Sequence, residues 1–305
     1  MKKCAIICNL HSGRGIKQET ISKLIVILNN SGYEATTYIT QKEQDAIHMV
    51  ENLPHVDLVI SMGGDGTFSE VITGNFKRED QLTLTHIPIG TANDIGAMFG
   101  LRKNNPVNNL NEILAGEIKN LDICFINGQP FAYVAGFGKY IQISCDTPKK
   151  YKKIFGYLAY AAQGVIEFFK PTKLYELEYT VNGETYKGLF SIILVSNANS
   201  IAGFNNIYKN IKLDDKKFEV MFCSINKRKN IIRSFYFLKT TDIHNVPGIY
   251  FHQTNKLEIK FKEKPKKYWT IDGEKFKPNS KIITFDTKYS IKMLVPTKNI
   301  KNLFK

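Results

Sequence analysis

Three times in the first hundred residues a short apolar run ends in a glycine-bearing loop, and this alternation constrains the fold more than any other feature. Cys4–Leu10 runs into His11-Ser12-Gly13-Arg14, and Thr20–Asn29 then carries apolar residues at helical spacing. Val56–Ser61 runs into Met62-Gly63-Gly64-Asp65-Gly66-Thr67 and a helix from Ser69, and His86–Ile89 runs into Gly90-Thr91-Ala92-Asn93-Asp94. Between them Ala35–Thr40 alternates like a strand and Gln44–Leu53 reads as a helix. Strands alternating with helices predict a parallel sheet covered on both faces, with ligands beyond the carboxyl ends of the strands. All three loops fall at such ends.

The central loop is the most specific of the three. Glycines accept positive φ and let bare backbone N–H groups close around phosphate oxygens, while the next helix adds its N-terminal dipole. Asp65 inside such a loop repels phosphate unless it binds a divalent cation or pairs with a base. A plain strand-to-helix turn with an Asp cap is the competing reading, and five specified residues in this context make it the weaker one. Pro88–Asp94 offers a hydroxyl, an amide and a carboxylate in succession, fit for a second edge of a nucleotide or for an ordinary helix cap. Asn9–Gly13 is the third loop, with Arg14 placed to counter phosphate charge.

From about Asp122 the texture changes to Gly- and Asn-punctuated alternation. Phe131–Gly136, Tyr175–Val181, Leu189–Ser196, Phe218–Ile225, Lys256–Phe261 and Lys281–Phe285 read as strands, with Asn182-Gly183 a hairpin signal and helices near Phe155–Phe169 and Asn230–Thr240. The predicted architecture is an N-terminal Rossmann-like parallel α/β unit followed by a mainly antiparallel β-sandwich. Charge divides along the same line. The chain carries a net +14, but residues 1–125 hold 11 basic and 14 acidic side chains (net −3), leaving 31 and 14 (net +17) to residues 126–305.

No stretch is apolar over the roughly 18 to 20 residues a bilayer span needs, and the run after Lys2 and Lys3 is too short for a signal-peptide core. The expectation is a protein inside the cell. Cys4, Cys8, Cys124, Cys145 and Cys223 are scattered and odd in number, which argues against a disulfide framework or structural zinc. No helix-turn-helix, aromatic RNA-binding or zinc pattern supports nucleic acid as the partner of the excess charge.

The ordered motifs resemble the diacylglycerol kinase catalytic domain family of lipid kinases, which includes sphingosine and ceramide kinases. Its N-P-x-S-G, G-G-D-G-T, P-x-G-T-x-N-D and late D-G-E appear here as Asn9–Gly13, Gly63–Thr67, Pro88–Asp94 and Asp272-Gly273-Glu274. The stretch Leu121–Ile123, Ala135–Gly138, Thr147–Lys150 and Gly156–Tyr160 is most similar to the soluble bacterial members. The resemblance spans nearly the whole chain. It implies ATP bound by Asn9, Ser12, Gly13, Arg14, Thr40, Gly63, Gly64, Asp65, Gly66, Thr67, Glu70, Gly90, Thr91, Asn93 and Asp94, with Mg²⁺. Asp272-Gly273-Glu274 would supply the base that takes the lipid hydroxyl's proton, either Glu274, favoured by family analogy, or Asp272. A simple β-turn is the competing reading of Asp272-Gly273.

The family also has a structural Mg²⁺ site, matching Lys212, Asp215 and Lys217 here. The glycine that usually follows the aspartate is Lys216, which resists positive φ and adds charge beside a cation. Asp122 and Asp94 would join Asp65 in an acidic cluster. The implied organisation is an ATP-binding domain over 1–122, with the tail 293–305 packing back on it, and a lipid-binding domain over 123–292. The activity implied is phosphorylation of a lipid hydroxyl, diacylglycerol to phosphatidate. A kinase acting on NAD, which shares G-G-D-G, and a catalytically silent membrane-binding relative are the alternatives.

Lys149, Lys150, Lys152 and Lys153 before the apolar Ile154–Phe169, and Lys260, Lys262, Lys264, Lys266 and Lys267 before Asp272, suit an anionic membrane surface. A core helix with a basic cap and an ordinary solvated face are the plainer readings of the two clusters. The resemblance implies a cytoplasmic protein held peripherally at the membrane's inner face, and a homodimer.

Overall fold

In a computed structural model of the chain the residues described are 1–13, 15–91, 93–143, 166–198, 200–201, 204–205, 211–225, 246–298, 300 and 302–305. The first part runs β1 (Lys2–Cys8), α1 (Gln18–Asn30), β2 (Tyr33–Ile39), α2 (Asp45–Glu51), β3 (Leu58–Gly63), α3 (Asp65–Phe76), β4 (Leu84–Pro88), α4 (Asp94–Met98) and α5 (Pro106–Leu114). The second runs β5 (Glu117–Ile126), β6 (Gln129–Phe131), β7 (Val134–Gly138), β8 (Tyr175–Val181), β9 (Glu184–Phe190), β10 (Ile192–Ser196), β11 (Ser200–Ile201) and β12 (Phe204–Asn205). It closes with β13 (Phe218–Cys223), β14 (Ile249–Thr254), β15 (Lys256–Phe261), β16 (Trp269–Ile271), β17 (Glu274–Phe276) and β18 (Ile282–Val295).

The predicted architecture is present. Strands β2, β1, β3 and β4 pair in parallel; the apolar runs of β1, β3 and β4 are buried, Cys4–Cys8 and all six residues of β3 among them, while the edge strand β2 is partly exposed. Among the described residues this sheet continues through β18 into antiparallel β15, β8 and β9, with β5 and β6 pairing off β18. A second, six-stranded sheet in the order β14-β13-β10-β7-β16-β17 lies over that antiparallel part. Phe131, Phe137, Tyr179, Phe218, Phe222, Phe261, Trp269 and Phe285 fill the space between them. Trp269 packs on Phe137 and Phe285 with ring centroids 5.3 and 5.4 Å apart. No described helix is long and apolar enough to cross a membrane.

Two departures from the sequence reading shape the site and the sheet. Helix α3 begins at Asp65, not Ser69, so Asp65-Gly66-Thr67 is the first helical turn; glycine's low helix propensity hid this. Strand β18 does not stop at Phe285 but runs 14 residues to Val295 across a register shift between Asp286 and Tyr289. It pairs with β15 at one end and, through Met293, with Leu84 of β4 at the other, so one strand stitches the parallel and antiparallel regions together. Leu303 and Phe304 join the first core, with Phe304 stacked on Phe99. The expected helix Asn230–Thr240, the basic cluster Lys149–Lys153, most of the apolar stretch after it, and Arg14 lie outside the described residues.

Candidate active site

The three loops meet at the carboxyl ends of β1, β3 and β4 because their backbones come into contact. A Cβ on Gly90 would lie 2.6 Å from the Gly64 Cα, and one on Gly13, at φ +58°, would lie 2.2 Å from the Ile89 oxygen. Only glycine permits that approach. The Ile89 N–H donates to the Gly63 oxygen at 2.8 Å and the Asn9 N–H to the Met62 oxygen at 2.9 Å, which fixes the three chain exits side by side. The Asn9 amide reaches the Thr67 hydroxyl at 3.4 Å, while its oxygen accepts from the His11 N–H. Thr40 stands at the neighbouring strand end, its N–H on the Cys8 oxygen at 2.9 Å. The first turn of α3, which has no side-chain cap, starts at this junction of the three loops, and the N–H groups of such a turn suit an anion.

Around that turn the carboxylates take different duties. Asp65 is buried and accepts from the N–H groups of Asp94 and Ile95 at 3.2 and 3.1 Å, capping α4. Burial and the charge of Asp94 push its carboxyl up to about 7. Asp272 is buried too, and its carboxylate is cradled by the N–H groups of Ala132, Tyr133 and Val134 at 2.6, 3.1 and 3.1 Å and by the Ser69 side chain. Burial still raises its pKa. Glu274 is exposed, and its Oε1 lies 3.1 Å from where a Cβ on Gly66 would be, which sets it over the first turn of α3.

These positions follow from one tight hairpin. Ile271 pairs with Glu274, and Asp272 and Gly273, at φ +48° and +88°, form the two-residue loop between them, as Asn182-Gly183 does between β8 and β9. The structure thus shows the β-turn that the sequence offered for Asp272-Gly273.

Other expected residues are engaged by neighbouring elements. Glu70 accepts from the N–H groups of Gln44 and Ala46 at 3.0 and 3.2 Å and so caps α2. Asn93 takes φ +63° ahead of α4 and donates to the Leu101 oxygen, and the Thr91 oxygen accepts from Lys103. Asp122 does not share a cluster with Asp65: its carboxylate is held by Lys216, through the backbone N–H at 2.5 Å and the ammonium at 2.9 Å. Asp65 instead feels Asp94 and Asp272.

At the expected structural Mg²⁺ site, Lys212 donates to the Phe304 oxygen at 2.9 Å and Asp215 accepts from the Lys217 N–H at 3.0 Å. Among the described residues no group of three or more His, Cys, Asp or Glu is arranged to hold a metal. Asp215 turned onto its own loop and Asp214 turned to the Lys305 N–H, among three lysines, do not fit a divalent ion.

Tyr133 was not foreseen. Its N–H binds Asp272 and its hydroxyl binds Asp94, so it ties the turn before β17 to the start of α4. No local sequence signal marks it, because both partners are distant in the chain.

A family model, the diacylglycerol kinase catalytic domain, matches residues 3–126, which carry all three loops. The diacylglycerol kinase of Bacillus subtilis (strain 168) is 30% identical over 278 residues, covering 90% of this chain and 90% of its own. The chain belongs to the diacylglycerol kinase family. The diacylglycerol kinase of Staphylococcus aureus (strain JH9) is 32% identical over 222 residues, 72% of this chain and 70% of that one. A crystal structure of a diacylglycerol kinase from Bacillus anthracis str. Sterne shares the fold at a TM-score of 0.77, with 22% identity over 97% of this chain and 98% of that one. Membership makes the chain a lipid kinase, a phosphotransferase with ATP as donor.

Proposed function

We propose that this lipid kinase phosphorylates diacylglycerol to phosphatidate at the cytoplasmic face of the membrane, with Glu274 as the base. One observation carries the reading: an exposed carboxylate stands over the N-terminal turn of α3, where the three glycine loops converge. Asp272, saturated by three N–H groups, positions that hairpin and takes no proton from substrate.

ATP would lie across Asn9–Gly13, Gly63–Thr67 and Gly90–Thr91, its phosphates on the backbone N–H groups with Arg14 as counter-charge, and with Thr40, Asn93 and Asp94 at the edges. Glu70 supports this site through α2 without reaching the nucleotide. The acceptor oxygen forms its bond to the γ-phosphorus as the bond to ADP breaks, and Glu274 receives the hydroxyl proton. Such a transfer is mostly positioning and charge neutralisation, with a base contributing about 10²–10⁴-fold. Mg²⁺ arriving with the nucleotide would neutralise its phosphates.

Incubation with labelled ATP and a panel of diacylglycerol, sphingosine, a polyprenol and NAD tests the assignment. Label is expected in diacylglycerol. Label in NAD, or in no lipid, contradicts it.

A further inference from the structure

The backbone of Lys216 sits at φ +60°, a left-handed conformation that costs a lysine strain which glycine would not feel. What holds it there is Asp122, 1% exposed and therefore costly to bury without a counter-charge. Lys216 supplies that charge with both ends of the residue. Its N–H donates to Asp122 Oδ2 at 2.5 Å, and its ammonium lies 2.9 Å from Oδ1 while donating to the Ser290 hydroxyl at 3.0 Å.

The loop so held is a junction. The Asp122 N–H donates to the Leu213 oxygen, the Leu213 N–H to the Leu303 oxygen, and the Asn197 amide to the Asp122 oxygen. Residues 211–217 thereby join β5 to the C-terminal segment, and β5 is tied in turn to the exit of β10. Ser290 lies on β18 directly opposite Asp122. A cation at this point joins β18, which pairs with β4, to β5, which leads through β6 to the Asp272 cradle.

We propose that the Lys216 ammonium is the resident cation of this junction, doing the work a divalent ion does where glycine stands at that position, so that the chain folds without structural Mg²⁺. The ammonium neutralises Asp122 one for one and repels a divalent ion from the same loop. The remaining positions agree: Lys212 is turned to Phe304 and Asp215 to the N–H of Lys217.

Thermal unfolding of the nucleotide-free full chain, in EDTA and in Mg²⁺, tests this without reference to activity. Lys216→Met should lower the midpoint by about 5 °C or more in EDTA, as loss of a partner to a buried charge does. Lys216→Gly relaxes the backbone and vacates the charge, so its midpoint should rise with Mg²⁺ by about 3 °C or more beyond any rise in the wild type. Should these variants fold poorly, Asp122→Asn gives the second arm, because with the buried charge gone the further loss of Lys216 should cost nothing. Equal Mg²⁺ responses in wild type and Lys216→Gly, a wild-type midpoint for Lys216→Met, or full additivity with Asp122→Asn would each overturn the proposal.

Discussion

Asp272 and Glu274 are two residues apart on one turn, and their surroundings separate their roles. Asp272→Asn sets an NH₂ among three N–H donors, so it should cost roughly 1–3 kcal/mol of stability, read by urea unfolding. Glu219 presents a different case, a buried carboxyl whose described partner is the Gln253 amide at 3.2 Å, raised by burial from 4.5 to about 8. The folded state therefore keeps a proton that the unfolded chain has lost between those values. This contribution is intact below about pH 4.5 and is lost as pH rises toward 8. Glu219→Gln should accordingly be more stable than wild type at pH 9, with the advantage shrinking toward pH 5, as thermal melts across that range would show. An unchanged pH slope would contradict the assignment.

Among elements, what was legible in the sequence is what the chain writes locally. The three loops announce themselves because each strand-to-loop transition needs glycine within a few residues, and the Asp-Gly pair fixes its own hairpin. Gly90→Ala tests the closest approach. Its Cβ would sit 2.6 Å from the Gly64 Cα and must push the loops apart, so the KM for ATP should rise by about tenfold or more, with a modest fall in melting temperature. The full length of β18 was not legible, since the polar Asp286-Thr287-Lys288 at its bulge hides a strand that runs on to Val295. Helix α5 had a signal that went unused: Asn105 as N-cap, its side chain accepting from the Asn108 N–H, followed by Pro106 at the first helical position. Tyr133 and the Asp122–Lys216 pair were beyond sequence reasoning, because contacts 139 and 94 residues apart exist only once the sheets have formed.

For the whole molecule, the proposed membrane encounter rests on the division of charge into −3 and +17 between the two parts of the chain. Part of the basic excess is paired internally, as Lys262 is with Glu176 at 2.7 Å and Lys187 with Glu178 at 2.8 Å. The remainder favours an anionic bilayer, and attraction of that kind is screened over about 8 Å at physiological salt. Sedimentation with anionic vesicles should therefore weaken steeply as salt rises, while ATP affinity, set by backbone N–H groups in loops on the acidic half, changes little. Equal salt sensitivity would contradict the division. The central claim is that Glu274, held over α3 by the Asp272 hairpin, receives the acceptor's proton. Its most direct test is the rate of phosphoryl transfer from ATP to diacylglycerol by Glu274→Gln, with folding checked by melting temperature. The expected result is a loss of about 10²-fold or more in kcat at an unchanged melting temperature; a Glu274→Gln enzyme that turns over at the wild-type rate would contradict it.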